Sequence, residues 1–175
     1  DVGVTPYSIC AADFDSDGDQ DIAVANYLSD NMSILKNNGN GTFAAAINYD
    51  AGDGPSSIYA ADLDGDGDQD LAVANYNGDN MSLLRNSGDG TFAATGFYGA
   101  GRGITSVIAN DLDLDGDQDL ATANALSDDI SILFNLTGMP ASAFVVTSTA
   151  DSGPGSFRSS ISSANINPGG DTITF

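Results

Sequence analysis

The chain has 175 residues, 25 acidic side chains that are all Asp, four Lys plus Arg, no His and a formal net charge of −21. Without His it lacks a His-based triad, a His general base and a His zinc ligand, and without Glu any paired-carboxylate chemistry would have to borrow Asp, so it is not expected to be an enzyme. Its charge opposes nucleic acid and anionic membrane surfaces, no apolar run is long enough to insert in a bilayer, and a hydrophobic fraction of 41% is enough for a packed core.

In chain order, the first unit reads as short strands at residues 8–12, 21–26, 32–36 and 43–49. Between the first two lies the run Asp-x-Asp-x-Asp-Gly-Asp-Gln-Asp at 13–21, and Asn-Asn-Gly-Asn-Gly at 37–41 marks a turn. The same acidic run returns at 62–70 and 111–119, a constant period of 49 residues. Asn26, Asn75 and Asn124 share one register, as do Ser33, Ser82 and Ser131, and Asn37, Asn86 and Asn135. The units therefore span about 6–54, 55–103 and 104–142, in a repeat domain over 1–142. No stretch between turn signals is long enough for a helix, and four short strands per unit match one propeller-type blade. The third unit departs after Asn135, where Gly138-Met139-Pro140 replaces Gly-Thr-Phe. Residues 143–149 read as a strand that completes the third blade in altered form. The Ser-, Gly- and Asn-rich remainder of a 143–175 extension carries a helical turn near 156–164 and a strand at 172–175.

Fifteen of the 25 Asp lie in the three runs. Carboxylates about 5 Å apart repel by roughly 1–3 kcal/mol per pair, so several in one loop consume much of the ~5–15 kcal/mol that stabilises a domain. A divalent cation reverses the sign. Oxygen-only ligands select calcium over zinc or copper, and many carboxylates suit calcium better than magnesium. Three calcium sites are expected. The first uses Asp13, Asp15, Asp17, Asp19 and Asp21, the second Asp62, Asp64, Asp66, Asp68 and Asp70, and the third Asp111, Asp113, Asp115, Asp117 and Asp119. Positions 1, 3 and 5 turn inward, Gly18 permits the sharp turn, position 7 offers its carbonyl and position 9 closes the site. An EF-hand needs Glu at position 12 between helices; here that position is Val24, Val73 or Thr122.

FDSDGDQDIAVAN, LDGDGDQDLAVAN and LDLDGDQDLATAN, with NNGNGTF and NSGDGTF, resemble the FG-GAP/VCBS repeats of integrin-like β-propellers over about residues 5–138. The resemblance implies an all-β fold of three four-stranded blades, a calcium loop between the first two strands of each, and extracellular or cell-surface adhesion or recognition. The segment from Phe144 to Phe175 resembles the opening of parallel β-helix domains in large bacterial surface proteins. Rings of such blades usually contain four to eight, so three form an open array that neighbouring chains or further repeats complete. Head-to-tail self-association into a filament or surface layer is expected, with a terminal strand, 172–175 or 2–5, added to a neighbour's sheet. The alternative is a module that recognises a glycan or protein ligand.

Four sequons, at Asn31, Asn40, Asn80 and Asn135, are compatible with glycosylation. Tyr27 and Tyr76 suit blade packing or a sugar platform. Arg102 and Arg158 are expected to pair with Asp. Cys10, in register with Tyr59 and Ile108, reads as an inert buried thiol.

Overall fold

A computed structural model describes residues 1–135 and 145–148. It contains twelve β-strands and, among the described residues, no α-helix. The first sheet is β1 (Pro6–Ala12), β2 (Asp21–Asn26), β3 (Asn31–Leu35) and β4 (Ile47–Asp50). The second is β5 (Pro55–Ala61), β6 (Asp70–Asn75), β7 (Asn80–Asn86) and β8 (Phe92–Gly99). The third is β9 (Ile104–Asn110), β10 (Asp119–Asn124), β11 (Asp129–Phe134) and β12 (Val145–Ser148). Each sheet is an antiparallel meander in chain order. β12 pairs with β11, Ser131 opposite Ser148, so the strand expected over 143–149 joins the third sheet. The helical turn near 156–164, the strand at 172–175 and Arg158 lie outside the described residues. Of residues 2–5, expected to be able to add as a strand, Val4 and Thr5 form a bend, with the Tyr27 and Leu28 amides donating to the Thr5 and Val4 carbonyls.

The period of two is visible in packing. In β2, Ala23 and Ala25 face the second sheet and are fully buried. One core joins Phe14, Met32 and Ile34 of the first unit to Ile58, Leu71, Val73, Leu84 and Phe92 of the second. The next core joins Met81, Leu83, Ala72 and Ala74 of the second to Ile104, Val107, Leu120 and Leu133 of the third. Each fully buried Leu, Ile or Phe contributes roughly 1.5–3 kcal/mol, so these two sandwiches, rather than any single sheet, carry the apolar stabilisation. Phe92 packs edge-on against both Phe14 and Tyr49, with centroids 5.4 and 5.7 Å away. β1 lies beside β5, and β5 beside β9.

β4 is shorter than expected. Phe43 makes one isolated bridge to Asn37, and pairing resumes only at Ile47 opposite Ile34. In the second unit β8 pairs continuously from Phe92 through a bulge between Leu83 and Leu84. There the Thr95 hydroxyl donates to the Leu83 carbonyl (3.1 Å). In the first unit Ala46 and Ile47 stand in the register of Thr95 and Gly96, so neither the hydroxyl nor the glycine that turns to φ of 152° in the bulge is present.

The repeated asparagines close the β2–β3, β6–β7 and β10–β11 turns. Asn26 Nδ2 donates to Asn31 Oδ1 (2.9 Å) and Ser33 Oγ (2.8 Å). Asn75 does the same to Asn80 and Ser82, and Asn124 to Asp129 and Ser131. All three are buried. The Oδ1 atoms of Asn26 and Asn75 accept no hydrogen bond, whereas Thr122 donates to Asn124 Oδ1 at 3.0 Å. Val24 and Val73 stand where Thr122 stands. Thr122→Val should therefore leave a third buried acceptor unsatisfied and lower stability by about 1–2 kcal/mol. Urea denaturation at fixed calcium checks this, and an unchanged midpoint would contradict it.

Candidate metal centres

Each acidic run is folded by its own first carboxylate. Asp13 accepts the amides of Asp17 (3.2 Å) and Gly18 (2.9 Å). Asp62 accepts those of Gly65 (2.7 Å) and Gly67 (3.0 Å), and Asp111 those of Leu114 (2.7 Å) and Gly116 (3.1 Å). Position 5 then takes the amide of position 7: Asp19 to Asp17, Asp68 to Asp66, Asp117 to Asp115. These bonds wind the loop so that positions 1, 3 and 5 converge. Gly18, Gly67 and Gly116 turn left-handed, with φ of 94°, 97° and 102°. Position 4 is left-handed as well, at Ser16 (59°), Gly65 (77°) and Leu114 (67°). The sequence flagged only the first set, because Gly marks it three times and marks position 4 once.

Position 9 is the most buried carboxylate of each run. Asp21 Oδ2 accepts the Phe14 amide (3.0 Å) and its Oδ1 the Asn37 amide (2.7 Å). Asp70 binds the amides of Leu63 and Asn86 in the same way, and Asp119 those of Leu112 and Asn135. These three side chains thus tie the loop to the end of the third strand of their sheet. Each oxygen has one lone pair engaged, so a ligand role uses only the other. Burial pushes Asp70 up to about 6, the Asn86 and Leu63 amides pull against it, and the charges of Asp64 and Asp66 add to the rise.

Asp13, Asp15 and Asp17 each place a carboxylate oxygen in one cluster, all within 4.8 Å of one another. Asp62, Asp64 and Asp66 form the second such cluster, and Asp111, Asp113 and Asp115 the third. Positions 7 and 9 are not part of them. Two clusters have a cation at their edge that sequence reading missed. Lys36 Nζ lies 3.3 Å from Asp15, and Arg85 Nε 2.6 Å from Asp64. These two share one register; Phe134 holds that place in the third unit. There Asp113 stays above the ordinary carboxylate value, through desolvation first and the Asp115 charge second. Asp15 Oδ1 is shielded from solvent and accepts no hydrogen bond. A donor set of carboxylate oxygens with such an orphaned atom fits a hard divalent cation.

Of the sequons, Asn40 is exposed at a turn, and Asn31 and Asn80 are half-buried. Asn135 is corrected by the structure as an attachment point. It is buried, and its Nδ2 donates to the Leu63 carbonyl (2.7 Å), which leaves no room for a sugar on the folded chain. The Tyr27 ring packs at a tilt against Tyr7 and Tyr76, 5.6 and 6.4 Å away. Arg102 approaches Asp79 at 3.9 Å, an exposed pair of small worth. Burial pushes the Cys10 thiol up to about 12, in keeping with an inert role.

Leu114→Gly removes a Cβ from left-handed backbone and should raise stability by about 1 kcal/mol, while Gly65→Leu should lower it by a similar amount. Thermal denaturation in saturating calcium reads both, and equal melting of Leu114→Gly and the parent would count against strain at this position. A second expectation concerns pH. The folded chain holds the Asp70 proton more tightly than the unfolded one, whose value is near 3.8. Without a divalent ion, stability should therefore fall as pH rises from about 4 to about 6. In chelator the urea midpoint should be higher at pH 5 than at pH 7, and saturating calcium should shrink that difference.

The profile of the FG-GAP-like repeat matches at residues 13–73 and 62–122, overlapping windows offset by the 49-residue period. No curated protein matches the chain. FG-GAP repeats are typical of extracellular adhesion or recognition domains and are generally structural or recognition repeats rather than enzymes. On the strength of those matches and the three acidic loops they contain, the chain belongs to the FG-GAP-like repeat family.

Proposed function

We propose that the chain is a non-enzymatic extracellular structural or adhesive repeat protein whose propeller-type sheets are braced by three calcium ions. The observation that carries this reading is the threefold convergence of carboxylates at positions 1, 3 and 5. Asp13, Asp15 and Asp17 would hold the first ion, Asp62, Asp64 and Asp66 the second, and Asp111, Asp113 and Asp115 the third. The carbonyls of Asp19, Asp68 and Asp117 and the free lone pairs of Asp21, Asp70 and Asp119 are the further oxygens within each run. A bound ion supplies charge neutralisation and loop bracing, not chemistry on a substrate. Because the loops are ordered only in the folded chain, its binding free energy is folding free energy. Extracellular calcium modules have Kd values of about 10⁻⁴–10⁻³ M, so an extracellular setting would keep such sites filled.

A second reading, ligand recognition, is favoured by one cavity. Tyr59, Gln69 and Gln118 with Asp62 and Asp117 line a space of about 390 Å³ between the second and third loops. An aromatic face beside amides suits a sugar or a peptide turn. A glycan array that returns selective binding, lost in Tyr59→Ala, would favour this reading.

At tenfold excess over Kd, each site adds about 1.4 kcal/mol and three together roughly 4 kcal/mol. Calcium should therefore raise the melting temperature of chelator-treated protein by about 8–16 °C. Substituting Asp15, Asp64 and Asp113 by Asn together should abolish most of that rise. Melting curves that coincide with and without calcium would overturn the proposal.

A further inference from the structure

We propose that the outer face of the third sheet docks the outer face of the first sheet of a second copy of this chain. The contact repeats the register that already joins the first sheet to the second and the second to the third. It deepens the structural reading above and does not depend on calcium being the ion bound.

The end faces carry the residues that are buried at the two internal junctions. Ile58 and Val107, which face the preceding sheet, are 4% and 2% exposed, while Ile9 in the same register of β1 is 65% exposed. Met32 and Met81, which face the following sheet, are fully buried, while Ile130 in that register is 44% exposed. Ile108 adds to the last face and is exposed as well.

Polar contacts repeat with the same stagger. Asp30 accepts the Gly54 amide (3.0 Å) and Asp79 the Gly103 amide (2.7 Å). Ser8 Oγ accepts the Ile58 amide and Ser57 Oγ the Val107 amide. Asn86 Nδ2 donates to the Phe14 carbonyl and Asn135 Nδ2 to the Leu63 carbonyl. Moving each contact one further period leaves Asp128, Ser106 and the Leu112 carbonyl on the last face as acceptors. The Thr5 amide, the Ile9 amide and Asn37 Nδ2 on the first face are the matching donors. Among the described residues these three acceptors and three donors are not joined to each other.

Both halves already hold the joined conformation. Asp128 has φ of 56°, beside 52° and 51° at Asp30 and Asp79. Thr5 has φ of 57°, beside 66° and 65° at Gly54 and Gly103. A left-handed Thr is uncommon, so its presence where the two later repeats use Gly points to a retained plug. Shape agrees. A Cβ on Gly54 would come within 3.2 Å of the Tyr27 ring, but the residue in the Tyr27 register of the third sheet is Ala125. The extra Thr5 side chain meets a smaller neighbour.

The described sheets of two copies number six, a count over which such sheets close into a ring, so a dimer with two like junctions is the expected closed product.

Sedimentation equilibrium of the whole chain, in calcium and physiological salt, should give twice the 17.7 kDa of one chain or a higher multiple. A single-chain mass up to hundreds of micromolar would overturn the proposal. Ile9→Asp and Ile130→Asp should each abolish closed assemblies while remaining folded by circular dichroism. Mixed one to one, they should regain a heterodimer through the one intact pair of faces. Retention of the parent mass by either variant, or no recovery on mixing folded variants, would overturn the head-to-tail arrangement. Asp128→Ala, at an exposed turn, should weaken association at least tenfold without unfolding the chain, and unchanged association would count against the register. Repeating the mass measurement in chelator separates the two readings. Assembly without calcium-dependent melting sinks only calcium bracing, and calcium-dependent melting of a persistent monomer sinks only the docking.

Discussion

Mutual repulsion within three carboxylate clusters, each confined to 4.8 Å, is the constraint around which this chain is organised. At that separation each pair costs about 1–3 kcal/mol at effective dielectrics between water and a protein surface. A chain of net charge −21 with four basic residues has little of its own to offset this. Lys36 and Arg85 reach two of the clusters at one edge, and nothing basic stands in the equivalent place of the third. Oxygen-rich loops wound by their own amides are therefore poised for a cation, and the third has the greatest electrostatic need of one.

The loops are not appendages to the sheets. Asp70 fixes the Asn86 amide, and the Asn86 side chain reaches the Phe14 carbonyl in the loop of the preceding sheet. Asp119, Asn135 and the Leu63 carbonyl repeat this relay one period later. A loop thus sets the end of a strand, and that strand end holds the loop before it. Ordering one acidic loop consequently favours the order of its neighbour, beside the apolar burial between sheets. The same stagger governs the glycine amides on Asp30 and Asp79, which is why the junctions are so alike.

The period made much of this legible in the sequence. Strand order, the loops between first and second strands, and the registers of Asn26, Ser33 and Asn37 all follow from laying repeats over each other. What stayed hidden depends on contacts between repeats or on backbone geometry. Asp21, Asp70 and Asp119 look like any other acidic residue of the run, but burial makes them acceptors of main-chain amides. Leu114 gives no hint of its positive φ, since only Gly65 marks that place. Asn135 satisfies a local sequon, yet its fate is set by the Leu63 carbonyl 72 residues away. The shortened β4 has Ala46 and Ile47 where the bulge of β8 uses the Thr95 hydroxyl and Gly96 at φ of 152°.

Counting ions tests the central claim most directly. Native mass spectrometry of metal-free chain titrated with calcium should show three ions bound per chain at saturation, and Asp13→Asn, Asp62→Asn and Asp111→Asn should each remove one. A chain that stays free of calcium at millimolar concentrations while remaining folded would contradict the account.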